Sequence, residues 1–397
     1  MNEILSVGLI LLAALAAGHL AQRIRLPEVT GYLAMGALIG PTALDVITHD
    51  NLEALQLLSE VALGLILFSI GTIFEAVTFR PLGARVAFIT AAETFGAGVL
   101  VAAGMLLVGL PWTVALLLGV IAMETAPATT LMVIREYDSR GPLTDAVLAL
   151  LAMNNMLVLT TFGVVAVALA FSGPGVSAFA SLHALGWSVF GSIALGVLAG
   201  LALDAWVRRV TSPSEIMTLA IGTVLVTVGA ARALGLSPLF ASLAVGATIA
   251  NAAAQTEALA EQLRRADPPL YAAFFVLAGA ELPIGILPQI GLTGLVYVVM
   301  RSAGKIGGAW IAARRLSMSL HMQHQLGLCL LSSSSLAIGL TIQVRQQFPH
   351  IAPQVTAVVL AGVIVFEVIG PILARTALIH AGEVPESGTD SAAASVA

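Results

Sequence analysis

Long apolar runs recur along nearly the whole chain and are separated by short polar segments. A run of about 20 apolar residues crosses a bilayer as an α-helix, whereas a transmembrane barrel shows alternating segments of about ten residues. The pattern therefore predicts an all-α, polytopic membrane protein. Thirteen spans are predicted, near residues 4–22, 29–43, 53–74, 82–109, 112–134, 143–171, 182–206, 214–234, 238–254, 268–283, 291–313, 324–345 and 353–378.

The composition supports a membrane bundle. Hydrophobic residues make up 58% and charged residues 10% of the chain, and the mean hydropathy is +1.00. A soluble domain carries about 25% charged residues. The single cysteine, Cys329, excludes a disulfide within the chain and a cysteine-based metal site. The first apolar run lacks a basic segment before it and a small-residue cleavage site after it, so we expect a retained span.

The arginines predict the orientation. With the N-terminus outside, only Arg232 and Arg345 fall near the outer side. Thirteen arginines fall at the cytoplasmic side, namely Arg23, Arg25, Arg80, Arg85, Arg135, Arg140, Arg208, Arg209, Arg264, Arg265, Arg314, Arg315 and Arg375. The positive-inside rule therefore predicts that the N-terminus is outside and the C-terminus is cytoplasmic. Residues 382–397 are small and polar, which predicts a disordered tail or a linker to a regulatory domain or subunit.

Short segments repeat about 210 residues apart: YLAMGALI at 32–39 resembles SLAVGATI at 242–249. This offset predicts that spans 1–6 and 8–13 form an inverted repeat around span 7. Such repeats in secondary transporters carry broken helices near the midplane. The fifth span contains Pro127, which cancels a backbone hydrogen bond. The equivalent region of the twelfth span contains four serines, Ser332, Ser333, Ser334 and Ser335. Kinked packing helices are the alternative interpretation.

Lys305 is the only lysine, and it lies in the eleventh span. An ionisable residue inside a membrane is costly and is a functional-site hypothesis by default. A structural ion pair with Glu124 or Glu93 is the alternative for Lys305. Glu93 in the fourth span and Arg301 in the eleventh stand at the repeat offset, which predicts a buried ion pair between these two residues.

Four segments carry a resemblance to a known family. They are GHLAQRIRLPEVTGYLAMGALIGP (18–41), LSEVALGLILFSIG (58–71), FFVLAGAEL (274–282) and EVIGP (367–371). In order and spacing they resemble the monovalent cation/proton antiporter superfamily, in its Kef and NapA branch of sodium or potassium/proton exchangers. The resemblance covers about residues 5–380.

The resemblance implies an NhaA/NapA-like fold with two broken crossing helices, and a homodimer in which a mobile core carries the ion past a scaffold. This is an elevator-like form of alternating access. The implied division is scaffold 1–77 and 213–285, core 78–172 and 286–381, linking helix 180–212 and cytoplasmic tail 382–397.

The chain departs from this family at the ion site. The family carries paired acidic residues on the sixth span, of which the second binds the cation or proton and the first pairs with the core lysine. Here that motif is Asn154-Asn155, while Lys305 occupies the position of the lysine. An amide does not titrate and offers a dipole instead of a charge. On the fifth span, Glu124-Thr125-Ala126-Pro127 replaces the usual Thr-Ser-Pro or Thr-Asp-Pro.

Three hypotheses follow. In the first, Na⁺ or K⁺ binds Glu124, Thr125, Asn154 and Asn155, and Lys305 is the ion-pair partner or a proton carrier. In the second, the lysine, the amides and the helix N-termini bind an anion or an organic solute. In the third, the chain is a transport-inactive variant, with asparagines engineered in place of aspartates, or a sensor homologue. The alternative interpretation of the two amides is a structural role in hydrogen bonding between helices.

The favoured prediction is a secondary active transporter that exchanges Na⁺ or K⁺ for H⁺ without a cofactor. Neither a phosphate-binding loop nor a nucleophile elbow occurs in the sequence, so an enzyme is not predicted. The expected partners are membrane lipid, a second copy of the chain, the cation and the proton, with no nucleic acid. The expected location is a bacterial-type inner membrane.

Overall fold

The structure, a computed structural model, describes residues 3–72, 83–171, 186–210, 212–252, 256–282, 287–333 and 335–385. These residues form helices joined by turns, and no β-strand occurs among them, so the all-α prediction is confirmed for this part of the chain. The helices are α1 (Glu3–Arg23), α2 (Glu28–Ile39), α3 (His49–Gly71), α4 (Gly83–Leu107), α5 (Trp112–Ala122), α6 (Pro127–Glu136), α7 (Pro142–Phe171), α8 (Ser192–Val207), α9 (Pro213–Ala233), α10 (Pro238–Ala252), α11 (Thr256–Ala280), α12 (Leu287–Arg315), α13 (Leu320–Gln325), α14 (Ser335–Gln347) and α15 (Ala352–His380).

Within the described residues, seven helical stretches are long and apolar enough to cross a membrane, by length and composition alone. They are Ile4–Arg23, Gly83–Leu107, Trp112–Glu136, Pro142–Ala166, Trp187–Val207, Ser214–Ala233 and Ala352–His380. Shorter apolar helices lie at five further predicted spans: Glu28–Ile39, Leu57–Ser69, Pro238–Ala252, Pro268–Ala280 and Leu336–Arg345. The remaining predicted span coincides with α12, which carries Arg301 and Lys305. The total of thirteen spans stays a prediction.

Three buried apolar clusters organise the helices. One cluster, which includes Phe68 and Val245, joins α3, α8, α9 and α10. A second, which includes Leu117 and Val359, joins α4, α5, α7, α12, α14 and α15. The third, which includes Phe275, joins α1, α2 and α11 to α6, α7 and α15. Because lipid is as apolar as these side chains, close packing holds such helices together more than the removal of apolar surface from water does.

Small residues bring α4 and α12 unusually close together. A Cβ atom added at Gly304 would collide with the backbone of Ala97, and one added at Gly308 would collide with the α4 backbone next to Glu93. Small residues at such interfaces allow close backbone approach in membranes. This contact sets Glu93 on α4 opposite Lys305 on α12.

The end of α6 meets the beginning of α2. The backbone N–H of Glu28 donates to both carboxylate oxygens of Glu136, at 3.0 and 2.9 Å. The Glu28 carboxylate in turn accepts hydrogen bonds from Tyr32 Oη (2.7 Å) and Gln22 Nε2 (2.6 Å). Together with the third apolar cluster, these polar contacts link α1, α2 and α11 to α6, α7 and α15.

The N-terminus of α7 is capped by a residue that follows α15. The first N–H groups of a helix have no partner within it. Glu383 accepts hydrogen bonds from the backbone N–H groups of Leu143 (2.6 Å) and Thr144 (2.7 Å), and from the Thr144 hydroxyl (2.8 Å). Because α7 carries Asn154, this cap helps to fix the helix that positions a predicted site residue.

Replacing Glu383 with alanine removes the acceptor of two backbone N–H groups, so we expect the free energy of unfolding to fall by about 1–2 kcal/mol. Glu383→Gln keeps an acceptor oxygen but loses the negative charge favoured at a helix N-terminus, so a smaller loss of about 0.3–1 kcal/mol is expected. Reversible unfolding in mixed micelles measures both values. Equal stability of the alanine variant and the parent protein would contradict a stabilising cap.

Candidate functional site

Two interrupted helices meet where the second apolar cluster borders the third, since the segments before and after each break belong to different clusters. The first interruption separates α5 from α6 at residues 123–126, because Pro127 has no N–H to continue the helix and its ring clashes with the preceding turn. The second follows a 3₁₀ turn, Leu328–Leu330, and ends where α14 begins at Ser335. The backbone N–H of Ala126 donates to the Ser332 carbonyl at 3.0 Å, which joins the two interruptions. We call their meeting point the crossing. Both breaks lie where the sequence predicted them.

Lys305 lies beside the first interruption and is fully buried. Its Nζ atom lies 2.7 Å from Glu93 Oε2. It also donates to the Met123 carbonyl oxygen and to Thr125 Oγ1, each at 2.6 Å. The contact with Glu93 is a fully buried ion pair. We call these three oxygens the oxygen cage of Lys305.

Asn154 supports this cage from α7. Its Nδ2 donates to Glu93 Oε1 (2.9 Å), Thr94 Oγ1 (3.0 Å) and the Met123 carbonyl (3.0 Å). Its Oδ1 accepts from the backbone N–H of Thr125 at 3.0 Å. An aspartate at this position has no N–H to donate and would set a second negative charge beside Glu93. The amide is therefore matched to the carboxylate of Glu93.

Arg301, one turn before Lys305 on α12, supplies hydrogen bonds to the interrupted backbone. Its guanidinium is buried and lies 4.2 Å from the ring centre of Phe366. It donates to four carbonyl oxygens drawn from both interruptions, namely those of Ala122 (3.1 Å), Glu124 (2.7 Å), Leu331 (2.6 Å) and Ser332 (3.2 Å). Unwound backbone inside a membrane is tolerated only where such groups are satisfied or line a cavity. Arg301 therefore stabilises the crossing.

Glu124 is also buried, and its side chain interacts with the second interruption. Ser333 Oγ donates to Glu124 Oε2 at 3.0 Å, and an Arg301 nitrogen lies 4.0 Å from the same oxygen. The Thr125 hydroxyl also connects the first interruption to the 3₁₀ turn before the second, because it donates to the Leu330 carbonyl at 3.2 Å.

Asn155 occupies a different position from Asn154. It is half-buried, and its Oδ1 atom has no hydrogen-bond partner among the described residues. It makes none of the contacts that surround Lys305. Of the four predicted serines, Ser332 and Ser333 lie at the crossing, Ser335 begins α14, and Ser334 lies outside the described residues.

One predicted contact is wrong. The repeat offset predicted an ion pair between Glu93 and Arg301, but Glu93 pairs with Lys305, and Arg301 lies nearer Glu124. The repeat relates positions that are equivalent in two halves, which does not make them neighbours. The structural alternative stated for Lys305, an ion pair with Glu93, matches the observed geometry. Thr94 and the Met123 carbonyl were not foreseen, since a backbone oxygen exposed by a helix break carries no signal in residue identity.

No group of three or more His, Cys, Asp or Glu side chains in the described ranges is arranged to hold a metal ion. The polar atoms at the crossing are instead carboxylate, amide, hydroxyl and carbonyl groups around two cationic side chains.

A sequence profile described as "Sodium/hydrogen exchanger, transmembrane" matches residues 9–378. The chain belongs to the sodium/hydrogen exchanger family. The predicted resemblance to monovalent cation/proton antiporters is thereby confirmed.

The chain is also similar to two curated transport proteins. It is 27% identical over 305 residues to the glutathione-regulated potassium-efflux system protein KefC of Klebsiella pneumoniae subsp. pneumoniae, covering 75% of this chain and 48% of KefC. It is 28% identical over 141 residues to the iron transporter MagA of Paramagnetospirillum magneticum, covering 36% of this chain and 31% of MagA. The chain spans about half the length of the KefC relatives that it matches.

The fold is that of a solved antiporter. A structure of the sodium proton antiporter MjNhaP1 from Methanocaldococcus jannaschii matches with a TM-score of 0.78 at 17% identity, covering 95% of this chain and 96% of that chain. A second structure of the same antiporter, at pH 8, matches with a TM-score of 0.68 over 98% of this chain and 97% of that one. At this identity the likeness establishes the shared fold.

The ion pair between Glu93 and Lys305 predicts a non-additive double mutant. Glu93→Gln or Lys305→Met alone leaves one buried charge unbalanced, and we expect each to lower the free energy of unfolding by about 3–5 kcal/mol. The double variant removes both charges, so its loss should be well below the sum of the two single losses. Reversible unfolding in mixed micelles measures all three.

The control for this cycle is the exposed ion pair between Arg232 and Glu60, whose closest atoms are 2.7 Å apart. The same cycle applied there should give a coupling below about 1 kcal/mol. Additive losses at Glu93 and Lys305 would mean that the two charges are not coupled.

Proposed function

We propose that the chain is a secondary active transporter that exchanges a monovalent cation, Na⁺ or K⁺, for protons. The observation that carries this proposal is the oxygen cage of Lys305. A monovalent ammonium is held there by a carboxylate, a carbonyl and a hydroxyl oxygen at 2.6–2.7 Å. Protein oxygens of these kinds replace the hydration shell of an alkali cation in ion-conducting sites.

In the proposed mechanism, the cation and the Lys305 ammonium compete for the same oxygens. A cation that binds Glu93 and Thr125 takes the partners of the ammonium. A buried ammonium without a carboxylate partner is strongly disfavoured and gives up its proton instead. The cage therefore holds either the protonated lysine or the transported cation, which is the condition for obligatory exchange.

The other predicted ligands remain part of the proposal. Asn154 holds Glu93 and Thr125 in place, because its amide donates to the Glu93 carboxylate and accepts from the Thr125 backbone N–H. Asn155 has a carbonyl oxygen free of partners among the described residues, which supports a role on the path by which the cation enters. Glu124 adds a carboxylate near the crossing, at 4.0 Å from the guanidinium of Arg301.

Alternating access is proposed to be elevator-like. The core helices α4–α7 and α12–α15 would move against the scaffold helices α1–α3 and α9–α11, with α8 as the link. The second apolar cluster lies within the core helices, and the first joins three scaffold helices to the link α8, which supports this division. The third cluster spans both parts, so movement of the core must rearrange its contacts. The contact between Glu28 and Glu136 is then one that movement of the core must break. The thirteen spans, the inverted repeat and the homodimer belong to the same proposal.

We also propose a bacterial-type inner membrane with the N-terminus outside and the C-terminus inside, and a regulatory domain or subunit beyond residue 382. The rival anion or organic-solute carrier has less support. Lys305 is balanced by Glu93, and the donors of Arg301 are taken by carbonyl oxygens, so neither cation is free for an anionic solute.

A flux assay in proteoliposomes tests the exchange. Proton movement is followed while Na⁺, K⁺, Li⁺ or Cl⁻ is added outside, for the parent protein, Glu93→Gln and Glu124→Gln. We expect cation-driven proton release that falls at least tenfold in each variant, since losing about 1.4 kcal/mol of cation binding already gives that factor.

Glu60→Gln is the control for this assay, because Glu60 is on α3, in an exposed ion pair with Arg232 of α9. It should leave proton release close to that of the parent protein. A flat response to all cations, or a response to Cl⁻ alone, would contradict the proposed exchange.

A further inference from the structure

The buried charges of the core do not balance. Among the described residues of α4–α7 and α12–α15 with their breaks, the buried charged side chains are Glu93, Glu124, Glu367, Arg301 and Lys305. Three carboxylates face two cations, so the cluster carries one excess negative charge. A buried charge without a partner costs several kcal/mol and is normally neutralised by a proton or a bound ion.

Glu367 is the carboxylate without a cation. It lies on α15 and is 5% exposed. Its one side-chain hydrogen bond comes from Thr129 Oγ1, at 3.3 Å. Within the described ranges, no Lys, Arg or His nitrogen lies within 4.0 Å of its oxygens. The two cations are engaged elsewhere, Lys305 by Glu93 and Arg301 by carbonyl oxygens.

The groups that surround Glu367 do not supply a positive charge. Across the first break, Glu124 has the same sign and adds repulsion. From α12, Arg301 stacks on the ring of the neighbouring Phe366 rather than on the carboxylate. α6 contributes the neutral Thr129. In the described part of the chain, α2, α13 and α14 contribute no ion pair or hydrogen bond to this carboxylate.

A second polar side chain points to a ligand at the same place. Ser332 Oγ is fully buried and has no hydrogen-bond partner in the described structure. It lies against Gly370, since a Cβ atom added there would collide with it, and Gly370 is one turn after Glu367 on α15. Pro371 has no N–H, so the Glu367 carbonyl also lacks its usual donor within the helix. On this face of α15, the Ser332 hydroxyl and the Glu367 carbonyl therefore lack hydrogen bonds that such groups normally make.

We propose that Glu367, Thr129 and Ser332 form a proton-binding site in which the Glu367 carboxyl group holds a proton in this conformation. The protonated carboxyl is neutral, accepts the hydrogen bond from Thr129 and offers a donor to the unused acceptors nearby. This site is separate from the oxygen cage of Lys305, and nothing in the proposed exchange at that cage requires it.

The proton has a consequence that rests on the proposed function. With Glu367 protonated, the buried cluster is neutral when Lys305 is charged. It stays neutral when a monovalent cation binds and Lys305 is neutral. The core would then move without net charge in both states, and the exchange would not respond to membrane potential.

Infrared difference spectroscopy of the purified protein during a pH titration tests the site directly. A protonated buried carboxyl group has a carbonyl stretching band that a carboxylate lacks. We expect this band in the parent protein, its loss in Glu367→Gln and its shift in Thr129→Val, which keeps the carboxyl group but removes its hydrogen bond. The control Glu60→Gln should leave the band unchanged.

An unchanged band in Glu367→Gln, with the parent fold retained by thermal melting, would overturn the proposal. An unshifted band in Thr129→Val would also count against the assigned partner. Cation-driven proton release is measured on the same preparations. If the band is lost in Glu367→Gln but the parent protein shows no exchange, the proton site is supported and the proposed function is contradicted. If the parent protein shows exchange but no band from Glu367, the proposed function is supported and the proton site is contradicted.

Discussion

An ammonium group inside a membrane bundle is stable only if its charge is balanced and its N–H groups find acceptors. Lys305 meets both conditions with one carboxylate, one hydroxyl and one carbonyl oxygen. The carboxylate depends on one feature of the chain, and the hydroxyl and carbonyl oxygens depend on another. Glu93 reaches Lys305 because Gly304 and Gly308 let α4 and α12 pack backbone to backbone. The carbonyl and the hydroxyl are available because the helix is interrupted before Pro127.

The same constraint explains why an amide suits position 154 better than a carboxylate. With Glu93 on α4 supplying the negative charge for Lys305, an aspartate at 154 would repel it, whereas the Asn154 amide donates to it at 2.9 Å. The carboxylate that pairs with Lys305 therefore comes from α4, and the neutral amide on α7 holds it in place. Arg301 donates hydrogen bonds to the carbonyl groups that the two breaks leave without partners in their helices.

Local features of the sequence predicted the positions of the helices and breaks. Apolar run length marks a span wherever it occurs, and Pro127 interrupts a helix whatever surrounds it. The partner of Lys305 was left open between two glutamates, and the pairing of Glu93 with Arg301 was wrong. Both depend on how α4 is rotated against α12, and that rotation follows from packing at particular glycines rather than from periodicity. The isolation of Glu367 is likewise visible only when all five buried charges can be placed in space.

In the proposed exchange, a monovalent cation and the protonated Lys305 compete for one oxygen cage. Calorimetric titration of the purified protein with Na⁺ or K⁺, in two buffers of different ionisation enthalpy, measures proton release on binding directly. If the two compete, cation binding should release a proton from the parent protein. Lys305→Met should still bind the cation but should no longer release the proton. Cation binding to the parent protein without proton release, or equal release by Lys305→Met, would contradict it.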